Sequence, residues 1–454
     1  MRQQRIKGFA GTLALGATLG VATDCAATNG YFSTGYGTKA TGMGGVAIAL
    51  PQDSLAAVNN PAGIAWLGDR VDAGFKLFNP NRDATLDASG MYGERASADS
   101  GSTLFLIPHA GLIQRMGDLS TGLVIYANGG LNTRYNTNLY ADAFGPASAA
   151  LGGPAEFPDS DTLGVNLAQL TLAPTVALKL GEDHSVGASL LVGYQTFRAY
   201  GLGIFSGFSN DPANLTNNGN DDAWGLGLRL GWTGKITDRI TLGVSATSKT
   251  YMQEFDEYSG LFAEQGDFDI PANYGVGIAF QATPRITLGF DVVRTLYSDV
   301  RATGNSGPTG QEFIEDFGRA LSGVSIERAL GTDGGYGYGW DDQTVYKLGI
   351  AYVYNTHWTF RFGLNYGETP FEPSENLFNI VSLAVVEKHV SAGFTYAPDD
   401  KSELTLAYVR ALEGRQSYTY EAVADFGAGP TDLSYTTELG MDQHALEISY
   451  AWKF

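Results

Sequence analysis

Apolar side chains alternate with small or polar ones along much of the chain. Between Trp224 and Trp232, every second residue is Trp or Leu, and the residues between them are three glycines and Arg229. A period of two is typical of a β-strand with one apolar face and one small or polar face. The same alternation occurs at 346–354 and 358–366.

Segments with this alternation, read along the whole chain, predict an all-β fold. Fourteen strands are predicted, at residues 70–78, 103–115, 119–128, 168–180, 184–198, 222–235, 239–251, 271–283, 285–298, 342–354, 356–367, 386–398, 401–412 and 442–453. An even number of strands suits a barrel whose chain runs up and down.

The connections between these strands alternate in length. Short turns such as Gly117-Asp118 and Thr237-Asp238 are followed by long polar stretches, which are predicted at 129–167, 199–221, 299–341 and 413–441. Transmembrane barrels of the outer membrane have tight periplasmic turns and long outer loops. The pattern therefore predicts a 14-stranded antiparallel transmembrane β-barrel at residues 70–454.

Aromatic residues and the last residue of the chain fit this interpretation. Aromatic side chains near strand ends are predicted to form girdles at the two membrane interfaces, namely Trp232, Tyr251, Tyr297, Trp358 and Trp452. The last predicted strand ends on Phe454. A terminal aromatic on such a strand resembles the assembly signal of bacterial outer-membrane barrels.

The first 27 residues have the features of a secretory signal peptide. Arg2, Arg5 and Lys7 precede an uncharged stretch at 8–22, and Ala27 is the expected last residue of the signal. This stretch is shorter than the ~20 residues that a transmembrane helix needs. A lipid anchor on Cys25 is disfavoured because Asp24 stands where such signals have a small residue. The chain is therefore expected in the Gram-negative outer membrane.

Composition and charge exclude other classes of protein. Glycine supplies 60 residues, Tyr and Phe 24 each, and acidic residues outnumber basic ones by 48 to 28. A net charge of −20 disfavours binding to nucleic acid, whose phosphates need a basic surface. The expected partners are a hydrophobic small molecule, outer-membrane lipid and lipopolysaccharide, and the chain is expected to be a monomer.

Residues 28–69 precede the first predicted strand and are rich in glycine. They end in the motif Asn60, Pro61, Ala62 and Gly63. Because a barrel of fourteen strands is too wide for side chains alone to fill, this segment is predicted to form a hatch, or plug, inside the lumen. The alternative for the motif is a simple turn into the first strand.

Several motifs together resemble the FadL-type outer-membrane transporters of long-chain fatty acids and other hydrophobic compounds. They are the motif at 60–63 after the glycine-rich segment, Ile270-Pro271, and the stretches 283–300, 340–349 and 361–367. The resemblance implies a fourteen-stranded barrel, an N-terminal hatch, hydrophobic ligand sites in the lumen and an exit through the wall beside a kinked third strand. On this chain the exit is expected at Tyr126, Ala127, Asn128, Gly129 and Gly130.

Two further sets of residues are predicted to act on the ligand or the hatch. Aromatic and apolar residues of the outer loops are predicted to capture the ligand: Phe205, Phe208, Phe255, Tyr258, Leu261 and Phe262. Charged residues on the inner face are predicted to form a paired network that holds the hatch: Arg229, Asp291, Lys347, Arg361 and Glu447.

Catalytic, metal and cofactor chemistry has little support. Five histidines are scattered without metal-ligand spacing, and no nucleophile elbow or phosphate loop is found. The acidic run 217–222 lacks the periodic ligands of a calcium loop. No metal and no cofactor is expected, and an outer-membrane hydrolase is disfavoured. The predicted function is passive uptake of a hydrophobic compound by outer-loop capture and lateral release; a surface barrel for adhesion or phage attachment and a general porin are the alternatives.

Overall fold

The computed structural model describes residues 29–154, 156–157, 161–425 and 429–454. The predicted signal peptide, residues 1–27, lies outside the described residues.

Sixteen strands form one antiparallel sheet over the described residues. They are β1 (Arg70–Asp87), β2 (Arg95–Asp99), β3 (Phe105–Met116), β4 (Leu119–Asn132), β5 (Gly164–Leu180), β6 (His184–Tyr200), β7 (Asp221–Thr237), β8 (Ile240–Thr247), β9 (Tyr251–Met252), β10 (Asn273–Thr283), β11 (Ile286–Thr295), β12 (Gln343–Val353), β13 (Trp358–Gly367), β14 (Lys388–Tyr396), β15 (Ser402–Asp425) and β16 (Pro430–Lys453).

The sheet closes on itself. Fourteen of the strands pair with their neighbours in chain order, and β1 pairs with β16 from Arg70 opposite Lys453 to Asp87 opposite Thr436. The short strands β2 and β9 pair only with β1 and β7. The predicted fourteen-stranded antiparallel barrel is confirmed.

The apolar face of each strand points away from the lumen. On β7, the side chains of Leu226, Leu228 and Leu230 are 58%, 55% and 60% exposed, whereas Arg229 between them is 5% exposed. Inward-facing residues are thus covered by protein, and the exposed outer wall is apolar. This is the arrangement of a barrel whose wall faces lipid.

Short helices lie at the N-terminus and in the connections of one end of the barrel. They are α1 (Thr38–Thr41), α2 (Ala56–Asn59), α3 (Leu139–Ala150), α4 (Ala263–Gly266), α5 (Arg301–Gly304), α6 (Gly310–Leu321) and α7 (Asn376–Asn379). Among the described residues, none of these helices is long and apolar enough to cross a membrane.

One predicted outer loop is wrong. Residues 413–441 were expected to be a long polar connection, but β15 and β16 continue through most of them and pair from Gly414 opposite Met441 to Asp425 opposite Pro430. The first strand likewise runs to Asp87 and not to residue 78. The outward side chains of these extensions are mostly polar, and their apolar residues, such as Leu86, Leu433 and Leu439, are buried on the inward face, so the alternation is inverted relative to a lipid-facing strand.

One residue of the predicted girdles is also misplaced. Trp452 and Tyr251 are 60% and 68% exposed on the outer wall, but Tyr297 is fully buried inside the protein. Its hydroxyl donates to the backbone oxygen of Asn29 at 2.7 Å. Tyr297 lies in a 3₁₀ turn just after β11, where the chain has left the wall.

The N-terminal segment, residues 29–69, lies against the inner face of the wall. Its backbone approaches wall glycines on opposite sides of the barrel: Ala62 at Gly187, Ile48 at Gly243 and Met43 at Gly363. A methyl group added at any of these three glycines would come within 3.0 Å of the segment. The segment therefore occupies the space between β6, β8 and β13.

Candidate functional site

An apolar cavity, here called the outer chamber, lies among the long connections at one end of the barrel. Its empty volume is about 480 Å³, part of which is open to solvent. Its lining consists of Tyr140, Leu202, Phe205, Leu215, Leu261, Phe262, Ala302, Leu330, Tyr336, Gly337, Tyr338, Phe378 and Val381. None of these side chains is charged. A concave site with an apolar lining is typical of proteins that bind small hydrophobic molecules.

Three of the six predicted capture residues line the outer chamber: Phe205, Leu261 and Phe262. The other three are Phe208, Phe255 and Tyr258, which are fully buried and pack behind the lining. For example, the ring of Phe208 packs against that of Phe205 at 5.7 Å, and Phe255 against Phe262 at 6.3 Å.

The hydroxyl groups of two lining tyrosines are already engaged. Tyr140 donates to the backbone oxygen of Leu377 at 2.6 Å, and Tyr336 donates to Asp316 at 2.7 Å. Burial, and after it the bond to Asp316, raises the pKa of Tyr336, so its phenol stays neutral. These bonds fix the rings of the outer chamber and leave their apolar faces for a ligand.

A row of aromatic rings extends from the outer chamber to the N-terminal segment. Phe262 packs on Phe268 with ring centroids 4.8 Å apart, and Phe268 packs on Tyr31 at 6.1 Å. Tyr31 also contacts Tyr297 and Trp340, at 5.4 and 5.8 Å. Tyr31 therefore connects the floor of the outer chamber to the wall of the barrel.

The wall is interrupted between β3 and β4, at what is here called the wall gap. The two strands pair only from Met116 opposite Leu119 to His109 opposite Tyr126. Beyond this point residues 105–108 of β3 pair only with β1, and residues 127–132 of β4 pair only with β5. The register of β4 shifts between Ala127 and Gly129, which leaves Asn128 as an extra residue in a β-bulge.

The five predicted exit residues, 126–130, thus border the wall gap, and the N-terminal segment lies directly behind it. Phe32 forms an isolated β-bridge with Gly129, and the N–H group of Gly130 donates to the oxygen of Tyr31 at 3.2 Å. A cavity of about 420 Å³ empty volume opens beside these contacts, between Tyr36, Leu55, Pro108 and Asn128.

Two polar residues of this second cavity were missed from the sequence: Lys76 and His109 join Glu447 in carrying charge or potential charge to its lining. The Lys76 ammonium donates to Ser33 at 2.7 Å and lies 3.4 Å from Glu447, and His109 lies 3.8 Å from Glu447. Only Glu447 was predicted. Inward positions of β1 and β3 offered the signal, since Lys76 and His109 fall between apolar residues there.

The motif Asn60, Pro61, Ala62 and Gly63 joins the N-terminal segment to β7. The Asn60 side-chain amide donates to the oxygens of Ile48 and Trp232 at 2.8 and 3.0 Å, and its carbonyl accepts from the N–H of Ala62 at 3.1 Å. Asn60 thereby caps a 3₁₀ turn that begins at Pro61. The motif therefore both caps this turn and contacts the wall.

Comparison with known proteins decides the family. Residues 19–451 match the family model described as outer membrane protein transport protein (OMPP1/FadL/TodX). The chain belongs to this family.

Relatives and solved structures agree with this assignment. The chain is 22% identical to a long-chain fatty acid transport protein of Escherichia coli O6:H1 (strain CFT073) over 90% of its own length and 93% of that protein. The crystal structure of the Pseudomonas putida toluene transporter TodX is similar at a TM-score of 0.64, with 20% identity over 93% of this chain and 99% of that one. A Pseudomonas aeruginosa FadL homologue is similar at a TM-score of 0.62, with 17% identity over 94% of this chain and 100% of that one.

Membership of the FadL-type family establishes the general function. The chain is an outer-membrane β-barrel of a Gram-negative bacterium that transports hydrophobic compounds, and it is a channel rather than an enzyme.

The five predicted lumen charges of this FadL-type barrel are all buried, but they do not form one paired network. Among the described residues, no ion pair joins any two of them. The Asp291 carboxylate accepts from the N–H groups of Ala47 and Ile48 at 2.7 and 3.0 Å. The wall charges thus bind polar groups of the N-terminal segment more often than each other, because a buried backbone N–H also needs a partner.

The other four charges make separate contacts. Arg361 donates to Gln52 at 2.9 Å, and Glu447 accepts from Thr38 and Thr41 at 2.9 and 3.0 Å. Arg229 donates to Thr247 of the wall at 2.8 Å. Lys347 lies with Asp291 in the lining of a polar cavity of about 660 Å³ empty volume.

Proposed function

We propose that this FadL-type channel captures its hydrophobic compound in the outer chamber and releases it sideways through the wall gap into the membrane. The proposed substrate class is long-chain fatty acids or similar hydrophobic compounds, and the N-terminal segment acts as the hatch between capture and release. The observation that carries the proposal is the missing pairing between β3 and β4 beside the bulge at Asn128.

Capture in the outer chamber has a simple driving force. Removing apolar surface from water stabilises the bound state by ~25 cal/mol per Å². The lining is mostly apolar, and the hydroxyls of Tyr140 and Tyr336 are already bonded. A hydrophobic solute therefore gains by entering from the aqueous side.

Sideways release follows from the same energetics. A solute that left the lumen into periplasmic water would lose the whole gain from burial, whereas one that entered lipid would keep it. The wall gap supplies such a path without breaking a strand ladder, because residues 105–108 and 127–132 share no hydrogen bonds. Tyr31 and Phe32 must move for the path to open, since both contact β4 at the gap.

The alternatives fit the structure less well. A general porin needs an open polar lumen, but the N-terminal segment crosses the lumen between β6, β8 and β13.

We also propose that the channel acts as a monomer surrounded by outer-membrane lipid and lipopolysaccharide, because its exposed wall is apolar on each of the strands from β3 to β14.

Deletion of Asn128 tests the release route. Removing the extra residue makes the pairing of β4 with β5 regular and brings β4 closer to the geometry of a continuous wall. We expect uptake of radiolabelled methyl dodecanoate by cells that lack other FadL-type channels to fall at least about tenfold. Binding of the same compound to the purified variant should be unchanged.

Deletion of Ile236 is the matched control. It removes the extra residue of the bulge in β7, between Lys235 and Thr237, far from the wall gap. Both variants must show heat-modifiable migration of the inserted barrel. Undiminished uptake by the Asn128 deletion would show that the compound leaves by another route.

A further inference from the structure

The charge of this chain is distributed very unevenly. The six long connections at the chamber end, residues 88–104, 133–163, 201–220, 248–272, 296–342 and 368–387, carry 25 Asp and Glu against six Lys and Arg. The rest of the chain carries 23 against 22. Practically the whole net charge of −20 therefore belongs to these six connections.

Basic residues beside the outer chamber are already paired with acids. Arg328 stacks on the chamber residue Tyr336 at 4.4 Å, lies 3.7 Å from Glu312 and donates to the oxygen of Ser306 at 2.6 Å. Arg301, next to the chamber residue Ala302, lies 3.3 Å from Glu264 and 3.5 Å from Asp333. The positive charge of each guanidinium is therefore already compensated by a neighbouring carboxylate.

Acidic groups near the chamber are crowded enough to repel further negative charge. Asp267 and Asp269 flank Phe268, whose ring packs on the chamber residue Phe262. Burial, and after it the Asp269 carboxylate, raises the pKa of Asp267 to about 7. Burial also raises the pKa of Glu375, one turn before the chamber residue Phe378.

From the charge distribution and the uncharged lining we infer that the outer chamber selects uncharged hydrophobic molecules, such as hydrocarbons and esters, and excludes fatty-acid anions. This inference rests on the proposed capture in the outer chamber and narrows its substrate class. An ionised carboxylate inside the chamber would lose its hydration and find no cation. A carboxylate left outside with its chain inserted would lie among the acidic connections, where like charges repel it.

A matched pair of ligands tests the inference. Dodecanoate and methyl dodecanoate have the same apolar chain and differ in charge at neutral pH. Each radiolabelled compound is equilibrated by dialysis with the full mature protein in nanodiscs, and binding to empty nanodiscs is subtracted. We expect the anion to bind at least about 30-fold more weakly than the ester, since an unpaired buried charge costs more than a lost neutral hydrogen bond.

Two further measurements separate selection by charge from selection by shape. Raising the salt concentration from 10 to 500 mM should strengthen binding of dodecanoate and leave the ester unchanged, because salt screens the acidic connections. Leu261→Lys should place a cation in the lining and raise the affinity for dodecanoate about tenfold, whereas the control Leu261→Met should not.

The outcomes are distinct. Strong binding of the ester with weak binding of the anion supports the inference. Equal binding of both compounds overturns it and leaves capture in the outer chamber intact. If neither compound binds above empty nanodiscs, the proposed capture site itself is wrong, and the inference falls with it.

Discussion

Glycines of the barrel wall determine how closely the N-terminal segment can approach. Gly363 on β13 faces the backbone of Met43 and Gly44, and Gly243 on β8 faces Ile48 and Ala49. Each approach is too close for a side chain on the wall. At these two positions glycine is required because backbone meets backbone.

Gly363→Val should therefore displace the segment from β13. We expect greater leakage of small solutes and faster proteolysis of residues 29–69 in intact outer membranes, with the barrel still heat-modifiable. Gly68→Val is the control, because a side chain at Gly68 would meet no atom within 4 Å. Unchanged leakage by the Gly363 variant would mean that the segment adapts without leaving its position.

Asp267 should make the order of the outer loops depend on pH. Its pKa is raised to about 7 by burial and by Asp269, so the folded loop prefers the protonated form. The unfolded loop ionises near pH ~3.9, and the folded loop therefore loses stability as the pH rises from about 4 to about 7. Hydrogen exchange of residues 263–270, after correction for the intrinsic rise of amide exchange rates with pH, should be faster at pH 7.5 than at pH 5.

Asp267→Asn should abolish most of this difference, because the amide does not titrate. Asp256→Asn serves as the control for a carboxylate in the same connection. A variant at Asp267 whose exchange still accelerates with pH as in the original protein would contradict the prediction.

The sequence predicts the positions of some residues in the barrel but not of others. Leu226 and Arg229 could be assigned to opposite faces because the alternation around them is regular. The burial of Tyr297 could not be predicted in this way, because Tyr297 lies two residues after the end of β11, where the chain has left the wall. Lys76 and His109 stand on inward positions, but their proximity to Glu447 depends on closure between β1 and β16.

At the scale of strands, the lipid-facing half of each strand could be predicted and the half above the membrane could not. Lipid requires apolar side chains at every second position, so residues 442–453 of β16 carry a clear signal. Residues 430–441 pair just as regularly with β15, but water contacts their outward face. Their apolar residues, such as Leu433 and Leu439, are buried on the inward face, so the outward row of apolar side chains that marks a lipid-facing strand is absent.

The last strand leads to a prediction about assembly. Phe454 is 62% exposed at the end of β16, and its N–H group donates to the oxygen of Asp69 at 3.2 Å. Because this ring makes little contact with the barrel, its removal should cost the folded state little. Deletion of Phe454 should instead lower the yield of inserted protein severalfold, if the terminal aromatic is recognised during assembly.

The measurement is the amount of heat-modifiable barrel in the outer membranes of cells that synthesise each variant at the same rate. Phe454→Tyr is the control, because it keeps an aromatic residue at this position. Normal yield after the deletion would show that the terminal aromatic is dispensable. If both variants refold equally well from denaturant into detergent, the deletion impairs assembly in the cell and not the stability of the folded barrel.

The two cavities differ in how far sequence could foresee them. The exit residues follow from a family resemblance, and the structure adds the physical reason: the ladder between β3 and β4 stops at His109 and Tyr126. The outer chamber is built from several connections that are far apart in sequence, and its lining has no period. Sequence patterns therefore indicated aromatic loops and only three of the thirteen lining residues.

At the scale of the whole molecule, the wall and the N-terminal segment complete each other. The wall supplies buried charges such as Asp291 and Glu447, and the segment supplies the N–H and hydroxyl groups that satisfy them. Without the segment these charges would face an open lumen. On the proposed path, the ligand would meet the acidic connections, the apolar outer chamber and the wall gap in that order.

Removal of residues 29–66 should consequently convert the channel into an open pore. The lumen of a fourteen-stranded barrel is too wide for the remaining side chains to fill, and the exposed wall charges would hold water there. In planar bilayers we expect steady conductance of KCl by the shortened barrel and no steady conductance by the full mature chain. The Asn128 deletion should stay closed as well, because it changes the wall and leaves the segment in place. Heat-modifiable migration confirms that the shortened barrel is folded. If it folds and conducts no more than the full chain, the outer connections must close the lumen by themselves, and the N-terminal segment is not the hatch.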